Sequence, residues 1–295
     1  MPATTAPTVL ADEDWAARAA AHEARVDAWT APHRERRRRG ETHPVQDFLF
    51  TYYSETPGRL RRWNPGPDVA LEPPAPHAHR RWYATGADGA VRLDVPAFVA
   101  DRGSTVHFVR RLLAATAARP ASTGCFGLHE WAMVYRDRET RHAVPLRLGA
   151  EGTDAVVEAH QIRCTHFDAF RFFTPSAVPR NRLQPTRETQ PALEQPGCLH
   201  AGMDLYKHAF RLTPMVPSDL VADCFELARD IRVLDMRASP YDLADLGFAP
   251  VRIETTEGKA AYVETQRRFA ERGAPLRTRL IAECERLLEV AEARV

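Results

Sequence analysis

Apolar positions recur at three- and four-residue spacing in the first and last thirds of the chain and lose that rhythm in the middle. From Asp12 the series Trp15, Ala19, His22, Val26 and Trp29 follows a helical period. Asp12, Glu13 and Asp14 lie where a helix start favours negative charge, and the cations of 33–39 followed by Gly40 suit its end. Residues 1–11 ahead of it are small and rich in Pro and Thr, and predict a disordered tail. Pro44 opens a short helix carrying Phe48, Leu49, Tyr52 and Tyr53 on one side, and residues 64–81 form a proline-rich connector in which His77 and His79 read as exposed loop residues. A second long helix is predicted from Val95 to Ala118.

Segments 126–136, 143–148 and 155–162 are short, rich in β-branched and aromatic residues and separated by turn signals. They predict strands, with Pro145 placing the middle one at an edge. Residues 174–196 carry five prolines and predict a long wrapping loop. Helical spacing returns over 199–212, 218–234, 240–246, 257–272 and 275–293. The expected fold is α+β, predominantly helical, with a small antiparallel β insert near the middle of the chain. After the tail, residues 12–295 form a single domain, helical over 12–118, β-rich over 124–173, looped over 174–196 and helical over 197–295.

Charge changes this picture only locally. Forty Lys and Arg stand against 39 Asp and Glu, a net charge of +1, so no global positive field points to nucleic acid. Any DNA contact has to come from a local patch such as Arg36–Arg39, a run that equally suits a solvated helix end. No apolar stretch reaches the ~20 residues a membrane helix needs, and the first residues lack a signal pattern, so the expectation is a cytoplasmic protein with no membrane partner. The five cysteines are odd in number and never spaced as C-x-x-C, which predicts reduced thiols.

The densest reactive cluster is 160–173. On a strand, His166 and Asp168 share one face, as in a 2-His-1-carboxylate metal site, with His200, His160 or His129 as the further ligand. On a helix, Asp168 and Arg171 become an i, i+3 pair instead. A second cluster, on the predicted helix over 199–212, sets His200, Asp204, Lys207 and His208 on one face. A third is the acidic series Asp219, Asp223, Glu226 and Asp230, read as a salt-bridged face with Arg229, Arg232 and Arg237 in reach. Glu130 beside Trp131 offers an acid or base next to an indole, and would be costly to bury unpaired. Cys164 between His160 and His166 is a weak thiol nucleophile.

Five strings carry a resemblance: His43-Pro44-Val45-Gln46-Asp47-Phe48-Leu49-Phe50-Thr51-Tyr52-Tyr53, Leu60-Arg61-Arg62-Trp63-Asn64-Pro65-Gly66, Pro185-Thr186-Arg187-Glu188-Thr189-Gln190, Cys198-Leu199-His200-Ala201-Gly202-Met203-Asp204-Leu205-Tyr206-Lys207 and Leu234-Asp235-Met236-Arg237-Ala238-Ser239-Pro240-Tyr241-Asp242-Leu243. Over roughly residues 43–290 the chain resembles a group of actinobacterial proteins labelled 3-methyladenine DNA glycosylase. It lacks the helix-hairpin-helix glycine hairpin of one glycosylase superfamily, and no catalytic residue carries over from the group. The resemblance implies a hydrolase of DNA repair that removes an alkylated purine with a carboxylate-activated water and no cofactor. Such chemistry needs a carboxylate, aromatics around a flipped base and cations on phosphates. Asp168, Glu130 and His166 supply the catalytic candidates, Trp131, Phe167 and Tyr206 the stacking groups, and Arg171 and Lys207 the phosphate contacts. The alternative is a metal-dependent oxidoreductase or hydrolase acting on a small molecule or nucleoside, holding Fe, Mn or Zn through His166, Asp168, His200, His160, Asp204 and His129.

Overall fold

The computed structural model describes residues 7–53, 55–137 and 142–292. It is 58% helical with one small four-stranded sheet, an α+β fold that is predominantly helical. In chain order the strands are β1 (Thr8–Leu10), β2 (Val69–Leu71), β3 (Tyr83–Thr85) and β4 (Val91–Leu93). The helices are α1 (Asp12–Arg38), α2 (Phe48–Thr51), α3 (Pro57–Leu60), α4 (Val95–Ala117), α5 (Leu128–Ala132), α6 (Gly149–Ala159), α7 (Phe167–Phe170), α8 (Gln190–Leu193), α9 (Leu199–Arg211), α10 (Ser218–Arg237) and α11 (Thr256–Glu292).

The sheet is mixed and lies in the first third of the chain. Its order is β1-β2-β4-β3, with β1 parallel to β2 and the other pairs antiparallel. This corrects two expectations. Residues 8–10 of the predicted tail are a strand, with Thr8 opposite Val69 and Leu10 opposite Leu71; residues 1–6 of that tail lie outside the described residues. Among its described residues the predicted β-rich region 124–173 is helical or irregular instead, with only isolated bridges, Leu146 with Tyr241 and Ile162 with Asn181; residues 138–141 lie outside the described residues. The physical reason is burial: every residue from Phe126 to Tyr135 is shielded from water, so the apolar run has no exposed face to display a helical period.

Two further differences are smaller. The stretches read as separate helices, Glu257–Arg272 and Pro275–Ala293, are the single helix α11 as far as Glu292, continuing through Pro275; Ala293 lies outside the described residues. Of 240–246 only Ala244–Leu246 is helical, as one 3-10 turn. Asp94 caps α4 by accepting from the Ala97 N–H at 3.0 Å, as its place before Val95-Pro96 suggests. Across 174–196 only short turns interrupt the loop.

α11 packs along α4, α10 and α9, and α10 lies against α9, so α9 is enclosed on several sides. The main core draws on α1, α4, α5, α9, α10 and α11, with Trp131, Met203, Leu205, Tyr206 and Leu280 wholly buried. A smaller cluster of Leu10, Trp15, Trp63, Leu71 and Val91 seals the sheet against the start of α1. Three of the four acids of the series on α10 are salt-bridged, with most of the cations coming from other helices: Arg25 of α1 reaches Asp223 (2.9 Å) and Glu226 (3.0 Å), while Arg279 and Arg272 of α11 reach Asp223 (3.2 Å) and Asp230 (2.9 Å).

Candidate functional site

Beneath the main core, α5, α7, α9 and α10 converge on charge. His129 and Glu130 come from α5, His200, Asp204 and Lys207 from α9, Arg232 and Asp235 from α10, and Glu194 from the residue after α8. His166 directly precedes α7, held by an extended segment that belongs to no sheet. There the Asn181 side chain takes the place of a strand neighbour, accepting from the Cys164 N–H at 2.8 Å and donating to the Cys164 carbonyl at 3.0 Å.

These groups form two neighbouring sets, His129–Glu130–His200–Asp235 and His166–Glu194–Asp204, whose ligating atoms lie within 4.8 Å of one another inside each set. All seven residues are buried. His200 joins the sets: its ring meets that of His129 edge-on at 4.6 Å and stacks on that of His166 at 5.3 Å. His166 Nε2 stands 3.3 Å from Glu194 Oε1 and 3.3 Å from Asp204 Oδ2, yet neither of its ring nitrogens is aligned for a hydrogen bond. His200 Nδ1 is likewise buried without a hydrogen bond. His129 is fixed at both ends, Nε2 on Asp235 Oδ1 at 2.8 Å and Nδ1 by Cys125 Sγ at 3.3 Å.

Five buried carboxylates meet here: Glu130, Asp168, Glu194, Asp204 and Asp235. Lys207 Nζ donates to Asp168 at 2.7 Å and Asp204 at 2.6 Å, and Arg232 lies 3.4 Å from Glu130 and 3.3 Å from Asp235. Buried Arg277 adds a third cation, facing Glu194 without a salt-bridge contact. Tyr53 donates its hydroxyl to Asp204 at 2.8 Å. Burial opposes ionisation of Asp204, but Lys207 and His166 outweigh it and hold its carboxyl well below the usual range. Burial raises Glu130 and Glu194, the former aided by Asp235. Burial and His129 push His200 down to about 3, so its imidazole is neutral at physiological pH, the form in which it ligates metals.

A cavity of about 360 Å³ opens onto this array. His200, Glu130, Asp168 and Arg232 are its polar wall, and Phe48, Tyr52 and Phe172 are its aromatic wall. The volume is that of a small-molecule site.

Several expected roles are overturned by position. Asp168 lies on a helix, not a strand, pairing with Arg171 at 3.4 Å and with Lys207, so it is no co-ligand of His166. His160 ends α6 with its Nδ1 on the Val156 carbonyl at 2.8 Å and joins neither set. Trp131 is fully buried with its indole N–H on the Ala238 carbonyl, and Tyr206 is enclosed by Tyr53, Phe210 and Phe225, so neither can stack on a substrate base. Phe167 sits under the Arg187 guanidinium away from the cavity wall. Lys207 is spent between two carboxylates, and half-exposed Arg171 lies over Phe172. His77 is buried, its Nε2 on the Trp63 carbonyl at 3.0 Å, while His79 is exposed. Cys164 is buried and its thiol is raised, chiefly by Cys125, which leaves it no nucleophile. Arg36, Arg38 and Arg39 have acidic partners in Asp47, Glu35 and Glu41.

Of the residues expected to hold a metal, His129 and His200 lie in one set and His166 and Asp204 in the other; Glu130, expected apart from them beside Trp131, joins the first, and Asp235 and Glu194 were not anticipated. Asp235 had a signal: it falls four residues after Ile231 on the apolar stripe of α10, where a carboxylate is out of place. Glu194 sits in a loop and had none. Comparison of the chain with protein-family models, with curated proteins and with solved structures finds no match.

Proposed function

We propose that the protein is a metal-dependent enzyme acting on a small molecule in the 360 Å³ cavity. The observation that carries the reading is His166: a wholly buried imidazole faces two carboxylates at 3.3 Å with hydrogen-bond geometry to neither, as ligands do that converge on a common ion. The charge balance supports it. Five buried carboxylates stand against Lys207, Arg232, Arg277 and a His129 that Asp235 and Cys125 hold protonated despite its burial, so acids outnumber cations in the array, as a cation site requires. His166, Glu194 and Asp204 would hold one ion, and His200, Glu130, His129 and Asp235 offer a second set alongside. Mixed imidazole and carboxylate donors suit Fe, Mn or Zn. Of these residues His200 and Glu130 line the cavity, so a cation held by the second set would supply Lewis acidity at its polar end. The aromatic wall of Phe48, Tyr52 and Phe172 binds the apolar part of a substrate.

Elemental analysis of the purified protein tests this. At least one equivalent of Fe, Mn or Zn per chain is expected, reduced in His166→Ala and in Glu194→Gln. Absence of stoichiometric metal after incubation with each ion in turn would sink the reading.

The second reading is base excision from alkylated DNA, favoured by one observation: Glu130 and Asp168 both reach a cavity walled by aromatics. Release of free 3-methyladenine that resists chelators and is lost in Glu130→Gln would replace the metal reading with this one.

A further inference from the structure

A second cavity, about 620 Å³, lies at the other end of α9. Eleven residues separate His200 from Arg211, or about 16 Å of helix at ~1.5 Å per residue. Its wall carries six arginines: Arg59, Arg62, Arg80, Arg81, Arg102 and Arg211. They come from separate parts of the chain, α3 and the residues after it, the connector before β3, α4 and the end of α9. The fold therefore assembles a concentration of positive charge that no stretch of sequence displays.

Half of this charge has no internal answer. Arg81 and Arg102 share Asp101 at 3.1 Å, and Arg59 lies 3.7 Å from Glu55. Among the described residues, Arg62, Arg80 and Arg211 pair with no carboxylate. Arg80 is half-buried, and its Nη1 donates to the Trp63 carbonyl at 3.1 Å, which holds the guanidinium in place. Trp82, at φ 62°, keeps an aromatic in the left-handed region, with Arg81 4.4 Å and Arg102 5.8 Å from its ring. Burying an aromatic ring between cations fixes their stems against the cavity wall. The single acid of the lining, Glu55, is buried, and burial raises its pKa.

We propose that this cavity binds the oligophosphate group of a small molecule. Guanidinium groups are suited to phosphate oxygens because their paired N–H groups match them two at a time. One phosphate engages one or two such groups; three unpaired arginines with three more in the same wall fit a chain of phosphates. The volume falls in the range of small-ligand sites, and the concave shape suits a compact anion better than a duplex backbone, whose charges run ~1.7 Å apart along an extended convex surface. This site is independent of the metal reading.

Calorimetric titration with inorganic triphosphate tests it. Triphosphate is expected to bind one per chain, at least about tenfold tighter than orthophosphate, and to weaken as salt rises. The double variant Arg62→Ala/Arg211→Ala removes two exposed side chains and should keep the wild-type melting temperature while losing triphosphate affinity about tenfold or more. Arg80→Gln should show the same loss. Unchanged affinity in both variants, or no binding by wild type, would overturn the proposal. A parallel titration with DNA oligonucleotides separates the sources: affinity that grows with strand length and displaces triphosphate would reassign the cavity to a nucleic-acid backbone and refute the small-molecule form.

Discussion

The imidazole of His166 lies on that of His200 with planes 27° from parallel, although 34 residues of chain, most of them loop, separate the two. Each ring is buried and each has a ring nitrogen with no hydrogen bond. Two unsatisfied imidazoles in contact are costly unless something positive lies between the carboxylates they face. Saturating Zn, Mn or Fe at a hundredfold excess over Kd should therefore stabilise the chain by about 2.7 kcal/mol, or raise its melting temperature by about 5 °C. Scanning calorimetry with and without chelator measures this, and a His166→Ala chain should lose the increment.

Lys207 is the cation that two buried acids share. Lys207→Met keeps most of the stem but leaves Asp204 without its cation, while Asp168 keeps Arg171 at 3.4 Å and Arg187 at 3.3 Å. In chelator, to exclude metal effects, urea denaturation should show a loss of about 3–5 kcal/mol. Adding Asp168→Asn should recover part of it. An equal loss in the single and double variants would show that packing, not charge, is what Lys207 contributes.

Gly202 sits between His200 and Asp204, where α9 meets α10. A Cβ added there would lie 2.8 Å from the Ile231 Cδ1 methyl. Gly202→Ala gains about 1 kcal/mol of helix propensity but has to displace that methyl from a filled core, at a cost of about 1–3 kcal/mol. Ile231→Val removes the clashing atom. The double variant should accordingly be more stable than the sum of the two single effects by about 1 kcal/mol, a coupling readable from a double-mutant cycle in urea.

Asp47 provides a pH test away from the cavity. Its carboxylate accepts from the His43 N–H at 2.7 Å and His33 Nδ1 at 2.8 Å, and pairs with Arg36. Burial opposes its ionisation, but Arg36, His33 and the His43 N–H prevail and lower its pKa. A lowered folded-state pKa means stability that is present above the unfolded value, near ~3.9, and lost as pH falls through the folded one. Asp47→Asn should thus melt a few degrees below wild type at pH 7, and the gap should start to narrow only below about pH 4 and close as pH falls through the lowered folded pKa. A gap that does not narrow at all as pH falls below about 4 would assign the effect to lost hydrogen-bond geometry rather than charge.

α1, α4 and α10 were legible because each keeps solvent-facing positions beside its apolar stripe, whereas α9 is buried almost throughout and was legible because its buried polar residues, His200, Asp204, Lys207 and His208, fall together on one face. All four begin and end within a few residues of where their spacing places them. The middle of the chain was not, for two opposite reasons. Phe126–Tyr135 is buried on every side, so its Val, Tyr and Trp content suggested strand where the structure has a short helix. The true strands are three residues each, too short to show alternation, and β1 pairs with residues some sixty positions away. Among the site residues, His200 and Asp204 could be paired because one helix fixes their spacing. His166, Glu194 and Asp235 meet only through the fold.

That His200, Asp204 and Lys207 share one helix has a consequence for how the array can vary. Their mutual angles are a matter of helical phase, which cannot be altered by small degrees. One residue inserted between Ala201 and Met203 would leave His200 in place and turn Asp204 and Lys207 by about 100° about the α9 axis, away from His166 and Asp168. In α9 one residue in either direction therefore parts the two sets, keeping His200 with His129, Glu130 and Asp235 while taking Asp204 away from His166 and Glu194.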